Sequence, residues 1–234
     1  MKRFYKQVSI APVEGGFGVL MDGKSVKTPA RHTLALPTEK LANAIAAEWQ
    51  EQGEEVVVSS MPLLRLANTA IDGVSANREN VINAILRFGE NDLVCYRAHQ
   101  PPELAARQRA GWDPLLDWVA QRHGARMRVA QGLNHVDQPP ETLAALRQPL
   151  ESLDAFALAG LHVVASITGS LVLALTVLDD ALSGARAFEL SRIDEAYQAE
   201  KWGEDAEATK RATALARELD KAVELIGLAR TDAR

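Results

Sequence analysis

Few of the residue types that build catalytic or metal centres occur in this chain of 234 residues. A single cysteine, Cys95, excludes an intramolecular disulfide and any cysteine-based metal cluster. Five scattered histidines leave few catalytic constellations open, and we expect neither a cofactor nor a metal. Lys and Arg together number 26 against 31 Asp and Glu, a net charge of −5. This balance argues against nucleic acid as a partner, because proteins that bind it usually carry a basic patch.

The N-terminus also lacks the apolar stretch of a secretory signal, which needs about 7–15 apolar residues. Residues 4–10 instead alternate in character, a pattern typical of a strand. A transit peptide would be helical and rich in Arg and Ser. We therefore expect a chain that either stays in the cytosol or has already been processed.

One stretch, residues 155–178, carries no formal charge and has the length of a membrane span, about 20 residues. It is interrupted by hydroxyl residues, a glycine and His162, and its flanks are acidic. Membrane spans are usually flanked by Lys, Arg, Trp or Tyr instead. We therefore predict one or two buried helices here and no integral membrane span.

The first third of the chain has the pattern of an antiparallel sheet covered by one helix. Asp22-Gly23 lies between two strand-like segments and predicts a tight hairpin turn. Thr38 is placed to cap a helix over about residues 38–52, whose apolar residues recur at helical spacing. Further short strands are predicted at residues 33–36 and 55–58.

Beyond Pro62 the composition favours helices. Alanine, the best helix former, occurs 10 times in the first 80 residues and 28 times in the remaining 154. The predicted helices cover about residues 62–72, 76–88, 102–123, 139–151, 155–166, 169–181, 183–201 and 205–228. The fold class is therefore α+β, with a β-rich domain over residues 1–75 and an α-helical domain over residues 76–234.

Residues 18–25, GVLMDGKS, match the G-x-x-x-x-G-K-[ST] pattern of a phosphate-binding loop. Such a loop needs a helix directly after its Lys-Ser pair, here Lys24 and Ser25. The following residues are VKTP, in which Pro29 argues against a helix, and the loop interior is strand-like. We therefore interpret the segment as a hairpin, and residual anion binding at residues 18–25 stays open.

Other candidate sites are weaker. His135 and Asp137 could be metal ligands, but two residues do not make a site, and an exposed loop is the simpler interpretation. Cys95 lies in an apolar run and is expected to be an inert core thiol. Asp113-Pro114 is typical of the cap and first turn of a helix, with the neighbouring tryptophans packed against the core.

Several short patterns, spread over the whole chain in order, resemble the assembly chaperone of the ATP synthase alpha subunit. This family is known in mitochondria as ATP synthase assembly factor two and has bacterial homologues. The matching residues are RFYK at 3–6, LMDGK at 20–24, KTP at 27–29, LPT at 36–38, AEWQEQ at 47–52, MPL at 61–63, TAID at 69–72, DLVCYR at 92–97, Gln108, WDPL at 112–115, TGS at 168–170, DEAYQ at 194–198 and WGED at 202–205.

The resemblance implies a β-rich N-terminal domain with a helix, followed by a mostly helical domain. It also implies that the chain binds the unassembled alpha subunit and shields the surface that later packs against the beta subunit. Large exposed apolar surfaces aggregate or pair wrongly, so such cover would keep the subunit available for assembly. Neither ATP hydrolysis nor a cofactor is implied, and we expect a monomer.

The residues that contact the partner are a hypothesis centred on the segment from 194 to 205. On a helix, several of its residues share one stripe, and a tryptophan beside carboxylates suits an interface anchor. The alternative is a solvated helix end, with the tryptophan folded onto the core and the last acids favoured by a helix dipole. The candidate residues are Asp194, Glu195, Gln198, Trp202, Glu204 and Asp205.

Two other function classes stay open at this point. One is a nucleotide-binding enzyme that uses Lys24 and Ser25. The other is a binding module for a different protein partner, which sequence alone does not exclude because a binding surface has no fixed motif.

Overall fold

The computed structural model describes residues 1–132 and 135–230, which form two compact units. The first unit comprises residues 1–78, 154–160 and the described part of 221–234. The second comprises the described parts of 79–153 and 161–220. The division of the chain into domains at residue 75 stays a prediction.

A three-stranded antiparallel sheet forms the β-rich part of the first unit. Its strands are β1 (Val8–Val13), β2 (Gly16–Met21) and β3 (Lys24–Ser25), in that spatial order. Val8 lies opposite Met21 in the first pair, and Met21 lies opposite Lys24 in the second. Asp22 and Gly23 have φ values of 47° and 78°, the left-handed conformation that a two-residue turn requires. The predicted hairpin is therefore confirmed.

Helix α1 (Glu39–Gln50) packs on this sheet, as the α+β prediction requires. The Thr38 side chain accepts a hydrogen bond from the Leu41 amide at 3.1 Å, which confirms the predicted cap. Trp49 lies on the buried face of the helix, and its carbonyl accepts a 2.7 Å hydrogen bond from the Tyr5 hydroxyl. The Tyr5 and Trp49 rings also pack edge to face, 5.6 Å apart.

The strands predicted at 33–36 and 55–58 are shorter than expected. The first contributes only the isolated bridges of Thr33 to Lys27 and of Leu36 to Phe17, and the second only the bridge of Glu55 to Lys2. A 3-10 turn, Val58–Ser60, takes the place of the end of the second strand. Helix α2 (Pro62–Asn68) then begins and continues as a π-helical segment, Thr69–Val74.

Helices dominate the rest of the described chain. They are α3 (Arg78–Glu90), α4 (Pro102–His123), α5 (Pro140–Glu151), α6 (Ala155–Thr168), α7 (Leu171–Leu178), α8 (Gly184–Ser191), α9 (Ile193–Trp202) and α10 (Ala206–Ala229). A 3-10 turn, Leu93–Cys95, leads into β4 (Tyr96–Arg97), which pairs in parallel with β5 (Ala130–Gln131). Helices α6 and α10 each contribute residues to both units.

The long uncharged stretch forms α6 and α7, as predicted. Every residue of α7 is buried, which is why the stretch contains no charge. Among the residues that the structure describes, no helix has both the length and the apolar character needed to cross a bilayer.

Two details of the helix prediction are wrong. Pro114 lies in the interior of α4 instead of its first turn, because buried residues on both sides, such as Gln108 and Val119, anchor one continuous helix. The predicted helix over 183–201 is divided at Arg192 (φ −115°, ψ 21°) into α8 and α9. Neither glycine nor proline marks that break, so tertiary packing decides it.

Candidate partner-binding surface

Many of the residues that carry the family resemblance bind one another inside the fold. Asp72 accepts hydrogen bonds from the Thr28 hydroxyl at 2.6 Å and the Ala30 amide at 3.0 Å. Glu48 accepts from the amides of Leu63 and Leu64, the first turn of α2. Negative charge is favourable at a helix N-terminus, so Glu48 fixes the start of α2. These motif residues stabilise the first unit.

Asp92 has the same structural role in the second unit. Its carboxylate is fully buried and accepts from the Val94 amide at 3.2 Å and the Val172 amide at 3.0 Å. Ser170 caps the start of α7 and also hydrogen-bonds to Asp92. Burial outweighs these bonds and raises the pKa of Asp92 to about 6. Cys95 is buried next to it, which confirms the expectation of a core thiol, and burial raises its thiol pKa.

Helix α9 is held against α4 by polar contacts. The Gln108 side chain, only 1% exposed, donates to the Asp194 carboxylate at 2.6 Å. Arg107 bridges Glu103 and Glu200, at 3.0 and 2.7 Å. Lys201 lies 3.0 Å from the Glu103 carboxylate, and the hydrogen bonds from these two cations lower the pKa of Glu103. These contacts fix the position of α9 on the second unit, and the sequence patterns did not indicate the Glu103 network.

The exposed face of α9 carries three of the predicted contact residues. Glu195, Gln198 and Trp202 are exposed, and their spacing of three and four residues places them on one stripe. Trp202 is 78% exposed, the largest exposed fraction among the large apolar side chains of the described chain. Glu195 pairs at 2.9 Å with Arg192, the residue that precedes the helix. The alternative that Trp202 folds onto the core is therefore wrong.

The remaining candidates have different environments. Asp194 is half-buried and bound to Gln108, so it orients the helix. Asp205 accepts from the amides of Glu207 and Ala208, at 2.8 and 2.9 Å, which caps α10. Glu204 lies exposed between the two helices. The structure thus places Glu195, Gln198 and Trp202 on one exposed face and Glu204 just beyond its end, and it gives Asp194 and Asp205 structural contacts.

The phosphate-loop match has no phosphate-loop geometry. Its residues form β2, the turn at Asp22-Gly23 and β3, and no helix follows Lys24 and Ser25. This corrects the alternative of a nucleotide-binding enzyme built on that pair, because the motif requires a helix N-terminus for the phosphates.

His135 and Asp137 are exposed and bind each other at 3.0 Å. Across residues 1–132 and 135–230, no group of three or more His, Cys, Asp or Glu side chains is arranged to hold a metal ion. The Trp112 indole, as expected, packs inside and donates to the Leu190 carbonyl at 2.8 Å.

Replacing Gln108 with alanine is expected to lower the free energy of unfolding by about 2 kcal/mol, because it leaves the half-buried Ala98 amide and the half-buried Asp194 carboxylate without the Gln108 partner. Urea denaturation measures the change. The control is Gln121→Ala, an exposed position on the same helix, which should change stability by less than about 0.5 kcal/mol. Equal stability of the two variants would contradict the role assigned to Gln108.

The fold and the exposed face define the class first: a two-unit α+β protein in which several motif residues hold the structure together and Trp202 is exposed on α9. The family model of the ATP12 chaperone protein matches residues 2–120. The chain therefore belongs to the ATP12 chaperone family, whose members are assembly factors of ATP synthase and not enzymes.

Solved structures of relatives agree with this assignment. The chain is similar to Atp12 from Paracoccus denitrificans, with 41% identity, a TM-score of 0.95 and 98% of each chain covered. It is also similar to Atu1473, a putative chaperone from Agrobacterium tumefaciens, with 43% identity and a TM-score of 0.93 over 98% of this chain and 86% of the other. The mitochondrial protein atp12 of Schizosaccharomyces pombe is 26% identical over 220 residues, which are 88% of this chain and 75% of that one.

Proposed function

We propose that this chain binds the unassembled alpha subunit of ATP synthase and covers the surface that later meets the beta subunit. Membership of the ATP12 chaperone family supports a client in ATP synthase assembly. The observation that carries the proposal is Trp202, a tryptophan 78% exposed at the end of a helix. Exposing an apolar side chain of that size to water is unfavourable. An exposed tryptophan is typical of an interface that a partner covers.

The contact surface consists of the exposed face of α9 and the residues that follow it, namely Glu195, Gln198, Trp202 and Glu204. One large aromatic residue surrounded by polar groups has the composition of an interface centre with its rim. Asp194 and Asp205 belong to the same segment and orient it, through Gln108 and through the start of α10.

The surface is preorganised, which favours binding. Ion pairs hold α9 against α4: Glu103 and Arg107 on α4 pair with Lys201 and Glu200 on α9. The Tyr197 ring packs beneath the two cations, Arg107 and Lys201. A helix that is already fixed loses little conformational freedom when a partner docks. The proposed chaperone acts as a monomer where the alpha subunit is made or imported, in the bacterial cytoplasm or, for a processed chain, the mitochondrial matrix.

The test is capture of the alpha subunit by the immobilised full chain, with alpha subunit produced without beta. We expect Trp202→Ala and Glu195→Lys each to weaken capture about tenfold, and their combination by about thirtyfold or more, as for a central anchor and its rim. Glu90→Lys, an exposed change on α3, is the matched control and should bind like the unmodified chain. Beta subunit added afterwards should release the captured alpha subunit.

Thermal melts distinguish a lost contact from a lost fold. Because both side chains are exposed, neither substitution should change the free energy of unfolding by more than about 0.5 kcal/mol. Undiminished capture by the double variant would refute the surface assignment. Failure of the unmodified chain to capture alpha would refute the choice of partner.

A further inference from the structure

A cleft of about 430 Å³ opens beside the hairpin of the first unit. Phe4, Met21, Val26 and Trp49 contribute apolar walls, and Lys24 and Lys27 lie at its edge. All six residues belong to the first unit. The family assignment and the α9 surface give this cleft no role.

The aromatic wall of the cleft is held in a fixed orientation. Phe4 is 62% exposed, but its ring packs edge to face on Tyr5, with centroids 5.3 Å apart. Tyr5 is in turn buried and bonded through its hydroxyl to the Trp49 carbonyl. An exposed phenylalanine held by this stack offers apolar area to a partner with little conformational freedom left to lose.

The charged residues that line the cleft are two lysines and one aspartate, so positive charge is in excess there. Lys24 and Lys27 are exposed, and no carboxylate of the described residues lies within salt-bridge distance of either. Asp22 also lines the cleft. Hydrogen bonds from the amides of Gln7 and Lys6 lower its pKa and keep it ionised, so two lysines face one carboxylate. Residues 1–31 carry six Lys and Arg against two Asp and Glu, although the whole chain has a net charge of −5.

We propose that this cleft binds an extended acidic segment of a client polypeptide, with one large apolar side chain in the cleft and carboxylates on Lys24 and Lys27. The two lysines favour an acidic segment through charge complementarity, and the apolar walls favour a large apolar side chain within that segment. A free phosphate group fits less well, because the walls are mostly apolar and no helix N-terminus faces the lysines. The proposal is independent of which client the α9 surface holds.

The probe is a rhodamine-labelled peptide of sequence Gly-Asp-Leu-Phe-Glu-Gly, titrated with the full chain at low ionic strength and followed by fluorescence anisotropy. Two comparison peptides carry Lys in place of the acids or Gly in place of Leu-Phe. We expect saturable binding of the first peptide only. Combined Lys24→Glu and Lys27→Glu should weaken it about tenfold or more, as reversed charges do at an interface.

Phe4→Ser should also weaken the peptide about tenfold, because it removes the exposed anchor. Lys210→Glu, an exposed change on α10, is the control and should leave the affinity unchanged. Melting curves must match for all variants, and amide chemical shifts of the unmodified chain should change at residues that line the cleft.

Three results would overturn the proposal. They are equal binding of all three peptides, full affinity in the doubly charge-reversed variant, and saturable binding of ATP lost in that variant without any binding of the peptide. The last would assign the lysines to a phosphate group instead. Because no alpha subunit is present, these outcomes leave the capture experiment on Trp202 independent.

Discussion

Replacing Gly16 with alanine is expected to lower the free energy of unfolding by about 3 kcal/mol, through backbone strain and a steric clash. Gly16 has φ +146°, a conformation that residues with a Cβ rarely adopt. A Cβ at this position would lie 2.1 Å from the Leu36 carbonyl oxygen. That oxygen accepts a 2.8 Å hydrogen bond from the Phe17 amide, so it is not free to move away.

The clash can be separated from the strain with two other glycines, Gly15 and Gly53. Gly15 also has a positive φ, +87°, but a Cβ there would meet only Ala35 at 3.7 Å, so Gly15→Ala should cost about 1 kcal/mol. Gly53 has neither a positive φ nor a neighbour within 4 Å, and Gly53→Ala should be close to neutral. Equal urea midpoints for the Gly16 and Gly53 variants would contradict the strain and the clash that we assign to a Cβ at Gly16.

Replacing Asp92 with asparagine is expected to remove one pH-dependent contribution to the stability of the protein. The buried carboxyl has a pKa of about 6, against an ordinary value of 3.8. When the pH lies between these two pKa values, Asp92 keeps its proton in the folded chain and releases it in the unfolded chain. The stabilising contribution of the neutral acid is therefore complete below the unfolded pKa and is lost as the pH rises through the folded one.

The measured quantity is the difference in free energy of unfolding between the unmodified chain and the Asp92→Asn variant. The asparagine stays neutral at every pH, so this difference should shrink by up to about 3 kcal/mol between about pH 4 and pH 7. Other titrating groups contribute equally to both proteins and cancel. A difference that is constant or grows with pH would show that the carboxylate is ionised in the folded chain.

The motif residues thus divide into two groups with different physical roles. Asp72, Glu48 and Asp92 bind backbone amides of segments distant in sequence, and each is satisfied within its own unit. Gln198 and Trp202 are exposed on α9. The same family pattern therefore contains residues that hold the fold and residues that we propose to hold a client, and their environments tell them apart.

Local chemistry explains which elements were predictable. The Asp22-Gly23 turn, the Thr38 cap and most helix ranges follow from turn preferences and from apolar spacing within a few residues. The buried pair α6 and α7 was also predictable, because a stretch without charge between acidic flanks favours the interior.

The wrong predictions share a tertiary cause. Residues 55–58 have strand composition, but only the short N-terminal segment lies beside them, so one bridge forms and the chain continues into a 3-10 turn. Pro114 remains inside α4 because buried contacts on both sides outweigh its missing hydrogen bond. The break at Arg192 has no sequence marker at all.

The candidate site, too, could be predicted only in part from the sequence. Periodicity placed Asp194, Glu195, Gln198 and Trp202 on one stripe, but it could not show that Asp194 is bound to Gln108 or that the tryptophan is exposed. That choice depends on α4, whose Gln108 and Arg107 bind Asp194 and Glu200 of α9 and leave Trp202 exposed. The cleft beside the hairpin was equally hidden, because Phe4, Lys24 and Trp49 are far apart in the chain.

By itself, the sequence determined the α+β class, the hairpin, most helices and the family, since these depend on spacing and turn chemistry that short segments carry. The tertiary structure alone decided which motif residues are internal and which are exposed. It also decided that the Lys24-Ser25 pair, which the sequence already placed in a hairpin, lies beside an apolar cleft. The physical reason is that burial and charge pairing are properties of packed neighbours, and those neighbours come from segments that the sequence places dozens of residues apart.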